Sequence, residues 1–304
     1  MSDVTSGRAS LAGSSGYSEG STGEYRPDPL EYEVPRAQGA GLNGIAVAPH
    51  MERTEHFQAV REGKLGSVHS WELVTAMDGP GTRATVFFSG CPLRCVYCHN
   101  PDTLYMRKGT PVLLDDLMDR LRRYKTIFKV TGGGVTFSGG EPLMQPAFLA
   151  NLLRACKEEG IHTTIDTSGN LGVNCTDDML ADIDLVLLDV KAGDQETYFK
   201  TTKAQLEPTI AFGNRLAELG KRVWVRFVLV PGLTDKKENI EAVADIVAGW
   251  PNVERVEVLP FHQMARDKWD ALGMEYELED VEPPTPEETE AAREAFRSRE
   301  IETH

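Results

Sequence analysis

Cysteine is scarce in this chain, with five in 304 residues. Small secreted domains that depend on disulfide bonds carry many more, so a disulfide framework is disfavoured. The N-terminus also lacks the apolar run of a secretory signal, and no stretch approaches the roughly 18 apolar residues that a membrane-spanning helix needs. We therefore expect a protein of the reducing cytoplasm with no membrane association.

Basic residues are in the minority as well: 32 lysines and arginines stand against 47 aspartates and glutamates, a formal charge of −15. This balance argues against nucleic acid as a partner, because binding phosphates needs an excess of basic side chains. Residues 275–304 alone hold eleven acids and three arginines. More than half of the net negative charge therefore lies at one end of the chain. The net charge of the whole chain thus says little about an active site.

Three regions are predicted along the chain. Residues 1–40 contain seven Ser, six Gly and three Pro. Such a stretch has too few apolar side chains to offset the entropy of ordering, so we predict a disordered extension over residues 1–65. The folded domain is expected over residues 66–284. A helix-start pattern, Thr-Pro-Glu-Glu, opens residues 285–304 and predicts an acidic C-terminal helix that packs on the domain or extends it.

Apolar segments of the domain alternate between strand-like and helix-like patterns. β-Branched runs lie at residues 67–74, 84–88, 134–137, 162–166, 185–189, 223–230 and 253–259, and helical patterns at 113–124, 146–159, 209–219 and 236–250. Such alternation predicts an α/β fold in which helices cover a parallel sheet. A parallel barrel or partial barrel places its catalytic groups at the carboxyl ends of the strands. The polar residues that follow these runs are therefore the candidates for a site.

Three of the cysteines, Cys91, Cys95 and Cys98, lie in one short loop after a strand-like run. An iron–sulfur cubane normally takes four cysteine ligands, so a loop that supplies three leaves one iron open to a non-protein ligand. A structural zinc site, which usually takes four Cys or His ligands, is the alternative. His99 is poorly placed to be its fourth ligand because it directly follows Cys98. The spacing favours the cluster.

Gly139, Gly140 and Glu141 directly follow the strand-like run at 134–137. Two glycines at the end of a strand let the backbone approach a ligand closely. Alone, this tripeptide is more often a plain turn. Its place after a strand, some forty residues beyond the cysteine loop, favours a binding role.

Charged side chains end or interrupt later strand-like runs. Asp166 and Asp189 end two of them; an Asp in this position often caps the next turn, but two such acids could also hold a cation. Lys191 could pair with a carboxylate. Arg226 lies inside a run, and a buried arginine needs an anion as its partner. His262, after the last run, could bind a ribose or cap the strand end.

The cysteine spacing is similar to the signature of the radical S-adenosylmethionine (SAM) superfamily, and the whole pattern resembles its glycyl-radical-enzyme activases over about residues 66–284. The matching stretches are 77–81, 91–102, 138–141, 156–162, 187–191, 230–232 and 259–262. Residues 100–144 contain no cysteine, whereas many activases carry a cysteine-rich, ferredoxin-like insert there. This difference favours the branch of the family that acts on pyruvate formate-lyase.

The resemblance implies the cofactors and their ligands. Cys91, Cys95 and Cys98 are the implied catalytic residues and hold a [4Fe–4S] cluster. The implied SAM contacts are Tyr97, Cys98, His99, Gly139, Gly140, Glu141, Asp189, Val190, Lys191 and His262, with the ring of Tyr97 against adenine or shielding the cluster. A monovalent cation, K⁺ or Na⁺, is implied at Asp166 and Asp189 with the carbonyls of Thr167 and Leu187.

The fold implied by the resemblance is an incomplete parallel (β/α) barrel, open at the side to admit a protein loop. The implied reaction is one-electron cleavage of SAM to methionine and a 5′-deoxyadenosyl radical, which removes a hydrogen atom from a glycine of pyruvate formate-lyase under anaerobic conditions. A flavodoxin-type protein is the implied electron donor, and we expect a monomer. A different glycyl radical enzyme is the alternative target. A non-catalytic metal-binding or electron-transfer protein is a further alternative, which leaves the strand-end motifs unexplained.

Overall fold

One mixed sheet of eight strands organises the part of the chain that the computed structural model describes, which is residue 42 and residues 44–75 and 77–304. Most of the extension predicted for residues 1–65 lies outside the described residues. The strands are β1 (Leu65–Thr75), β2 (Thr82–Phe88), β3 (Thr110–Leu113), β4 (Gly134–Gly139), β5 (His162–Thr167), β6 (Leu185–Asp189), β7 (Val223–Leu229) and β8 (Val253–Pro260). Their order is β3-β1-β2-β4-β5-β6-β7-β8.

Six consecutive strands of this sheet, β2 and β4 to β8, are parallel. The predicted α/β fold with an incomplete parallel barrel is confirmed: the strand order has two separate ends, β3 and β8, among the described residues. One end of the sheet adds an antiparallel part to this barrel, because β1 runs antiparallel to both β2 and β3. Since β1 and β2 are joined by a short turn, they can only pair as a hairpin.

Ten helices of the described residues surround the sheet. They are α1 (Arg53–Arg61), α2 (Leu114–Arg122), α3 (Lys125–Thr131), α4 (Pro146–Glu158), α5 (Asp177–Asp182), α6 (Gln195–Thr202), α7 (Glu207–Glu218), α8 (Lys237–Ala248), α9 (Arg266–Ala271) and α10 (Pro286–Arg297). No helix in these parts of the chain has the length and apolar character to cross a membrane.

The two faces of the parallel strands differ in polarity. Alternate residues lie in the main hydrophobic core beneath the helices: Val86, Phe88, Val135, Phe137, Ile165, Val186, Leu188, Val225 and Phe227. The residues between them point to the other face, because successive side chains of a strand alternate. These include Thr85, Ser138, Asp166, Asp189 and Arg226. Leu185, Leu187 and Trp224 also lie on this second face, so it is polar only in part, and the site lies at its carboxyl end.

The folded part of the chain extends upstream of the predicted boundary at residue 66. Ile45 is 7% exposed and belongs to the main core, and the Ala48 N–H donates to the Pro111 carbonyl at 2.8 Å. After α1, the Asn151 side chain donates to the Glu62 carbonyl at 2.8 Å. A few contacts of this kind leave no periodic pattern in the sequence, so the boundary was not visible there.

The C-terminal residues cover the outer side of β8. Helix α10 begins after Thr285 with reciprocal hydrogen bonds between Thr285 and Glu288, and its Phe296 is fully buried in the main core. Beyond α10, the Val256 N–H donates to the Glu302 carbonyl at 2.8 Å and the His304 N–H donates to the Val256 carbonyl at 2.9 Å. The end of the chain therefore satisfies part of an otherwise open strand edge.

Candidate active site

The loop that carries the three cysteines follows β2 and is tied down on both sides by main-chain hydrogen bonds. The Cys91 N–H donates to the Leu104 carbonyl at 3.1 Å, and the Val96 N–H donates to the Thr201 carbonyl at 3.0 Å at the end of α6. The Trp269 indole donates to the Cys98 carbonyl at 2.9 Å. The loop is thus held in place by chain segments on either side of it.

The three thiols of this loop lie together and are largely shielded from solvent. Burial raises the pKa of Cys91, and the neighbouring Cys95 and Cys98 raise it further. Burial likewise raises the pKa of Cys95 and that of Cys98, to about 12. None of the three is in a disulfide bond. Thiols brought together in one loop are the ligands that an iron–sulfur cluster requires, so the residues present fit that cofactor.

A single-ion site fits this part of the molecule less well. Among the described residues, no three His, Cys, Asp or Glu side chains are grouped closely enough to hold one metal ion. The ring of His99 is instead stacked on the ring of His262, with 4.3 Å between ring centroids. His99 is thus engaged with His262, and the cysteine spacing remains the ground on which the zinc alternative is disfavoured.

Gly139 and Gly140 bring the end of β4 against the base of the cysteine loop. A β-carbon on Gly139, whose φ is +110°, would overlap the main chain of Phe88, and one on Gly140 would overlap the carbonyl of Gly90. The Glu141 N–H donates to that same Gly90 carbonyl at 2.8 Å. The two glycines thus let the backbone at the end of β4 pack against the backbone that leads into the cysteine loop.

Glu141 is buried and fully engaged with the end of β5. Its carboxylate accepts hydrogen bonds from the Thr167 hydroxyl at 2.7 Å, the Ser168 hydroxyl at 2.6 Å and the Ser168 N–H at 3.0 Å. Burial raises the pKa of Glu141, and these hydrogen bonds oppose the shift. Glu141 therefore joins β4 to β5, and its predicted contact with SAM stays a prediction.

Arg226 lies on the polar face of β7 among carboxylates from three other segments. Its guanidinium lies 3.1 Å from Glu257, 3.4 Å from Asp166 and 3.4 Å from Asp78, and it donates to the Met77 carbonyl. Burial opposes its charge, but these acids together raise the pKa of Arg226 above its ordinary value. The sequence predicted an anionic partner for Arg226, and in the structure that partner is a set of three carboxylates.

Asp166 keeps one oxygen without a partner. Its Oδ2 accepts a hydrogen bond from the Ser138 hydroxyl at 2.7 Å, whereas its Oδ1 is buried and has no hydrogen-bond partner among the described residues. Burial, with the charges of Asp189 and Asp78, raises the pKa of Asp166 to about 7 against the opposing effect of Arg226. A bare buried oxygen of this kind is suited to a cation.

Lys191 links the end of β6 to the cysteine loop. Its Nζ lies 2.8 Å from the Asp189 carboxylate and 5.6 Å from the centroid of the Tyr97 ring. Burial alone lowers the pKa of Lys191, but Asp189 and its other neighbours raise it well above the ordinary value. Val190 is buried, and its N–H donates to the Arg226 carbonyl at 3.0 Å. Lys191 is thus a fixed positive charge beside the thiols.

The stacked His99 and His262 complete the carboxyl edge. Burial, then the charges of His262 and Lys191, lowers the pKa of His99 to about 4. The loops after β2, β4, β6 and β8 therefore bring the predicted residues to one edge of the sheet, where Tyr97, Gly140, Lys191 and His262 lie around the cysteine loop.

Sequence reasoning missed Arg83, which is fully buried in β2. Its guanidinium donates to the Val135 carbonyl at 2.6 Å, the Thr164 hydroxyl at 2.8 Å and the Pro80 carbonyl at 3.1 Å. Arg83 thereby holds the 78–81 turn against β4 and β5. Asp78 of this turn contacts Arg226. The signal was weaker than for Arg226, because Arg83 directly precedes the β-branched run at 84–88 and does not lie inside it. Ser168 and Glu257 were missed as well and had no distinctive spacing, whereas Ser138 belongs to the matching stretch 138–141.

Comparison with known proteins agrees with this geometry. The family model described as the radical SAM superfamily matches residues 85–244. The chain is 46% identical over 218 residues to the pyruvate formate-lyase-activating enzyme of Clostridium pasteurianum, covering 72% of this chain and 91% of that protein. This chain belongs to the radical SAM superfamily, in the family of the pyruvate formate-lyase-activating enzymes. The cofactors of that superfamily, a [4Fe–4S] cluster and SAM, are therefore those of this chain.

Other relatives support the same placement. The pyruvate formate-lyase 1-activating enzyme of Escherichia coli K12 is 39% identical over 231 residues, 75% of this chain and 94% of that protein. A radical SAM methyltransferase from Sphaerobacter thermophilus has a TM-score of 0.52 at 17% identity, over 84% of this chain and 81% of its own. That similarity concerns the fold alone. The residues matched to the radical SAM superfamily include the cysteine loop, Asp166, Lys191 and Arg226, whereas His262 lies beyond them.

Proposed function

We propose that this chain activates pyruvate formate-lyase under anaerobic conditions by generating a radical on a glycine of that enzyme. The observation that carries the proposal is the position of the three-thiol loop, which lies against the carboxyl ends of the parallel strands beside Lys191 and Asp189. Relatives named for this activity match over at least 91% of their length. A radical SAM activase of a different glycyl radical enzyme is the alternative.

In this proposal Cys91, Cys95 and Cys98 hold the [4Fe–4S] cluster. The cluster and SAM, when bound, supply one-electron cleavage to methionine and a 5′-deoxyadenosyl radical. Lys191, kept protonated by Asp189, offers a donor for the carboxylate of SAM. The stacked His99 and His262 offer ring faces and nitrogens at the same edge, and the protein shields this chemistry from water.

The cation proposed at this edge is monovalent, K⁺ or Na⁺. Asp166 supports it with a buried oxygen that has no partner among the described residues, and the register pairs Asp166 with Leu187 and places Asp189 two residues further along β6. Oxygens from Asp166, Asp189 and the Thr167 and Leu187 carbonyls would be its ligands, a donor set that suits a hard cation.

An Asp189→Ala variant tests the cation proposal. We expect the iron content to be unchanged, because the thiols are untouched, and the dissociation constant for SAM to rise about tenfold or more because a cation ligand and the partner of Lys191 are lost. Equilibrium binding of SAM to the cluster-loaded protein would measure the change. Unchanged binding would remove the cation site and leave the rest of the proposal standing.

Anaerobic electron paramagnetic resonance tests the activity itself. The cluster-loaded protein would be mixed with photoreduced deazaflavin, SAM and the pyruvate formate-lyase of the same organism, and we expect a persistent glycine-centred doublet. Cys95→Ala should lose the cluster and the doublet. Cys156→Ala, which changes a buried cysteine beneath the sheet, should keep both.

Other outcomes separate the alternatives. Formation of 5′-deoxyadenosine without a doublet would keep the radical chemistry and assign a different glycyl radical enzyme as the target. Absence of 5′-deoxyadenosine from a fully loaded wild-type protein would favour a non-catalytic protein and contradict the proposal.

A further inference from the structure

Three exposed basic residues beside the cysteine loop have no carboxylate partner. Arg94, Arg107 and Lys108 form no ion pair with any acidic side chain of the described residues. Other exposed basic residues of the described chain, such as Arg123 and Lys129, also form no ion pair, so what distinguishes these three is their place beside the cysteine loop. We name this set, with the exposed ring of Tyr105, the basic edge.

The basic edge lies directly on the loop that carries the thiols. The Arg94 guanidinium donates to the Cys91 carbonyl at 2.8 Å and lies 5.4 Å from the centroid of the Tyr105 ring. Met106, next along the chain, packs on Gly90, where a β-carbon would come within 2.7 Å of the methionine methyl group. Arg94 and Met106 thus connect the basic edge to the cysteine loop.

An apolar groove of about 570 Å³ continues the basic edge towards α1. Its lining includes Phe57, Val60, Tyr105, Met106 and Met144. Phe57 is 59% exposed and Tyr105 is 46% exposed. Exposed apolar side chains gathered in one concave patch and bordered by charge are typical of a surface that binds another protein.

We propose that the basic edge and its groove dock the protein that donates the electron, a low-potential one-electron carrier with an acidic surface, such as a flavodoxin. This inference rests on the proposed function, in which each turnover needs one electron from outside the chain. The carrier is oxidised by one electron and the cluster is reduced by one; no bond or proton changes at that step.

The position of the basic edge favours the electron donor over the target enzyme. None of its residues belongs to the set around Lys191 and His262, where SAM is proposed to bind and where the glycine of the target enzyme has to reach the radical. A carrier docked on the basic edge would approach the thiol loop without displacing SAM or that glycine. Unpaired positive charge raises the rate of encounter with an acidic partner in particular.

A charge-reversal variant, Arg107→Glu/Lys108→Glu, tests the docking site. Binding of purified flavodoxin to the cluster-loaded protein would be measured by titration calorimetry at low and high salt, and cluster reduction by reduced flavodoxin by stopped-flow absorbance. We expect the dissociation constant to rise about tenfold at low salt, the salt dependence to flatten, and the reduction rate to fall by a similar factor.

The matched control is Arg123→Glu/Lys129→Glu, which reverses one exposed charge directly after α2 and one in α3, near the amino ends of the strands. It changes the net charge equally and should bind flavodoxin like the wild type. Arg107→Gln/Lys108→Gln, which removes the charges without reversing them, should give a smaller effect in the same direction. It would replace the charge-reversal variant if the charge-reversal variant failed to load its cluster.

Two results would overturn the docking site. One is flavodoxin binding that is the same in the reversal variant and the wild type. The other is normal reduction by flavodoxin together with a raised KM for pyruvate formate-lyase when photoreduced deazaflavin supplies the electron, which would assign the surface to the target enzyme. Deazaflavin-driven cleavage of SAM by the wild type reports on the proposed function separately, because it needs no docked carrier.

Discussion

At the scale of single residues, two arginines inside strands have opposite surroundings. Arg226 is neutralised by Asp78, Asp166 and Glu257, whereas Arg83 is bound by hydroxyls and carbonyls and has no carboxylate within ion-pair distance in the described residues. Burial accordingly lowers the pKa of Arg83 to about 10. A buried cation held by neutral acceptors depends on every hydrogen bond it makes.

The first prediction concerns Arg83→Met, which keeps much of the side-chain volume and removes the donors. Several buried acceptors on β4 and β5 would be left unpaired, at about 1–3 kcal/mol each, so we expect the free energy of unfolding to fall by about 3 kcal/mol or more. Urea denaturation would measure it, with the exposed Arg123→Met as the matched control. Equal stability of the two variants would contradict the structural role of Arg83.

The second prediction is a pH dependence at His162, beside Arg83. Burial, then the charge of Arg83, lowers the pKa of His162 from 6.5 to about 4 in the folded protein. Between these values the unfolded state binds more protons, so stability is fully present above pH 6.5 and is lost as pH falls towards 4. The slope from this residue is at most about 1.4 kcal/mol per pH unit, reduced by solvent screening because the ring is partly exposed.

A His162→Gln variant isolates this contribution, because the other titrating groups remain. Its free energy of unfolding should fall less steeply than that of the wild type between pH 6.5 and 4, whereas the exposed His50→Gln should follow the wild type. Urea denaturation at a series of pH values would measure the slopes, and parallel slopes for His162→Gln and wild type would show that His162 does not titrate in this way.

At the scale of elements, burial rather than helical propensity decides how much an element contributes. Helices α6 and α10 each carry one phenylalanine near the C-terminal end: Phe296 of α10 is fully buried, and Phe199 of α6 is 50% exposed. The third prediction is that Phe296→Ala lowers the free energy of unfolding by about 3–5 kcal/mol. Phe199→Ala, the same change on a helix surface, should cost much less.

Thermal and urea denaturation of both variants would check this difference. A cost for Phe296→Ala as small as that for Phe199→Ala would mean that α10 is not anchored in the main core.

Most of the elements that sequence patterns missed are short, although α1 and α6, with nine and eight residues, were missed as well. Helices α3, α5 and α9 have six or seven residues, fewer than two turns, so an apolar period of 3.6 cannot be recognised in them. Strand β3 has four residues, one of them Pro111. These short elements are stabilised by packing against neighbouring segments of the fold. The local sequence does not show which segments those are.

At the scale of the whole molecule, the segment before β1 is part of the folded domain. The fourth prediction compares two truncations. Removing residues 1–62 takes away the buried Ile45 and Met51, so we expect a loss of about 2–4 kcal/mol in the free energy of unfolding. Removing residues 1–41, whose composition predicts disorder, should leave the stability unchanged.

Urea denaturation of the two truncated proteins beside the full chain would measure these effects. Equal stability of the two truncations would mean that the contacts of Ile45 and Met51 contribute little to the fold.

The amino-acid sequence by itself determined the features that are local in the chain. The Cys-x3-Cys-x2-Cys spacing, the glycines at the end of β4 and the acids at or near the ends of β5 and β6 could be recognised, because a strand, its end and the following loop are contiguous. The alternation of apolar runs likewise predicted the parallel sheet. These features were enough to place a site at the carboxyl ends of the strands.

Only the tertiary structure decided which residues meet across that edge. The partners of Arg226 are up to 149 positions away in the sequence, and the strand register that sets Asp189 beside Arg226 and Arg226 beside Glu257 follows from packing of the whole sheet. The unpaired basic edge was invisible for the same reason. Whether a charged side chain forms an ion pair depends on which distant segments fold next to it. Local sequence propensity does not contain that information.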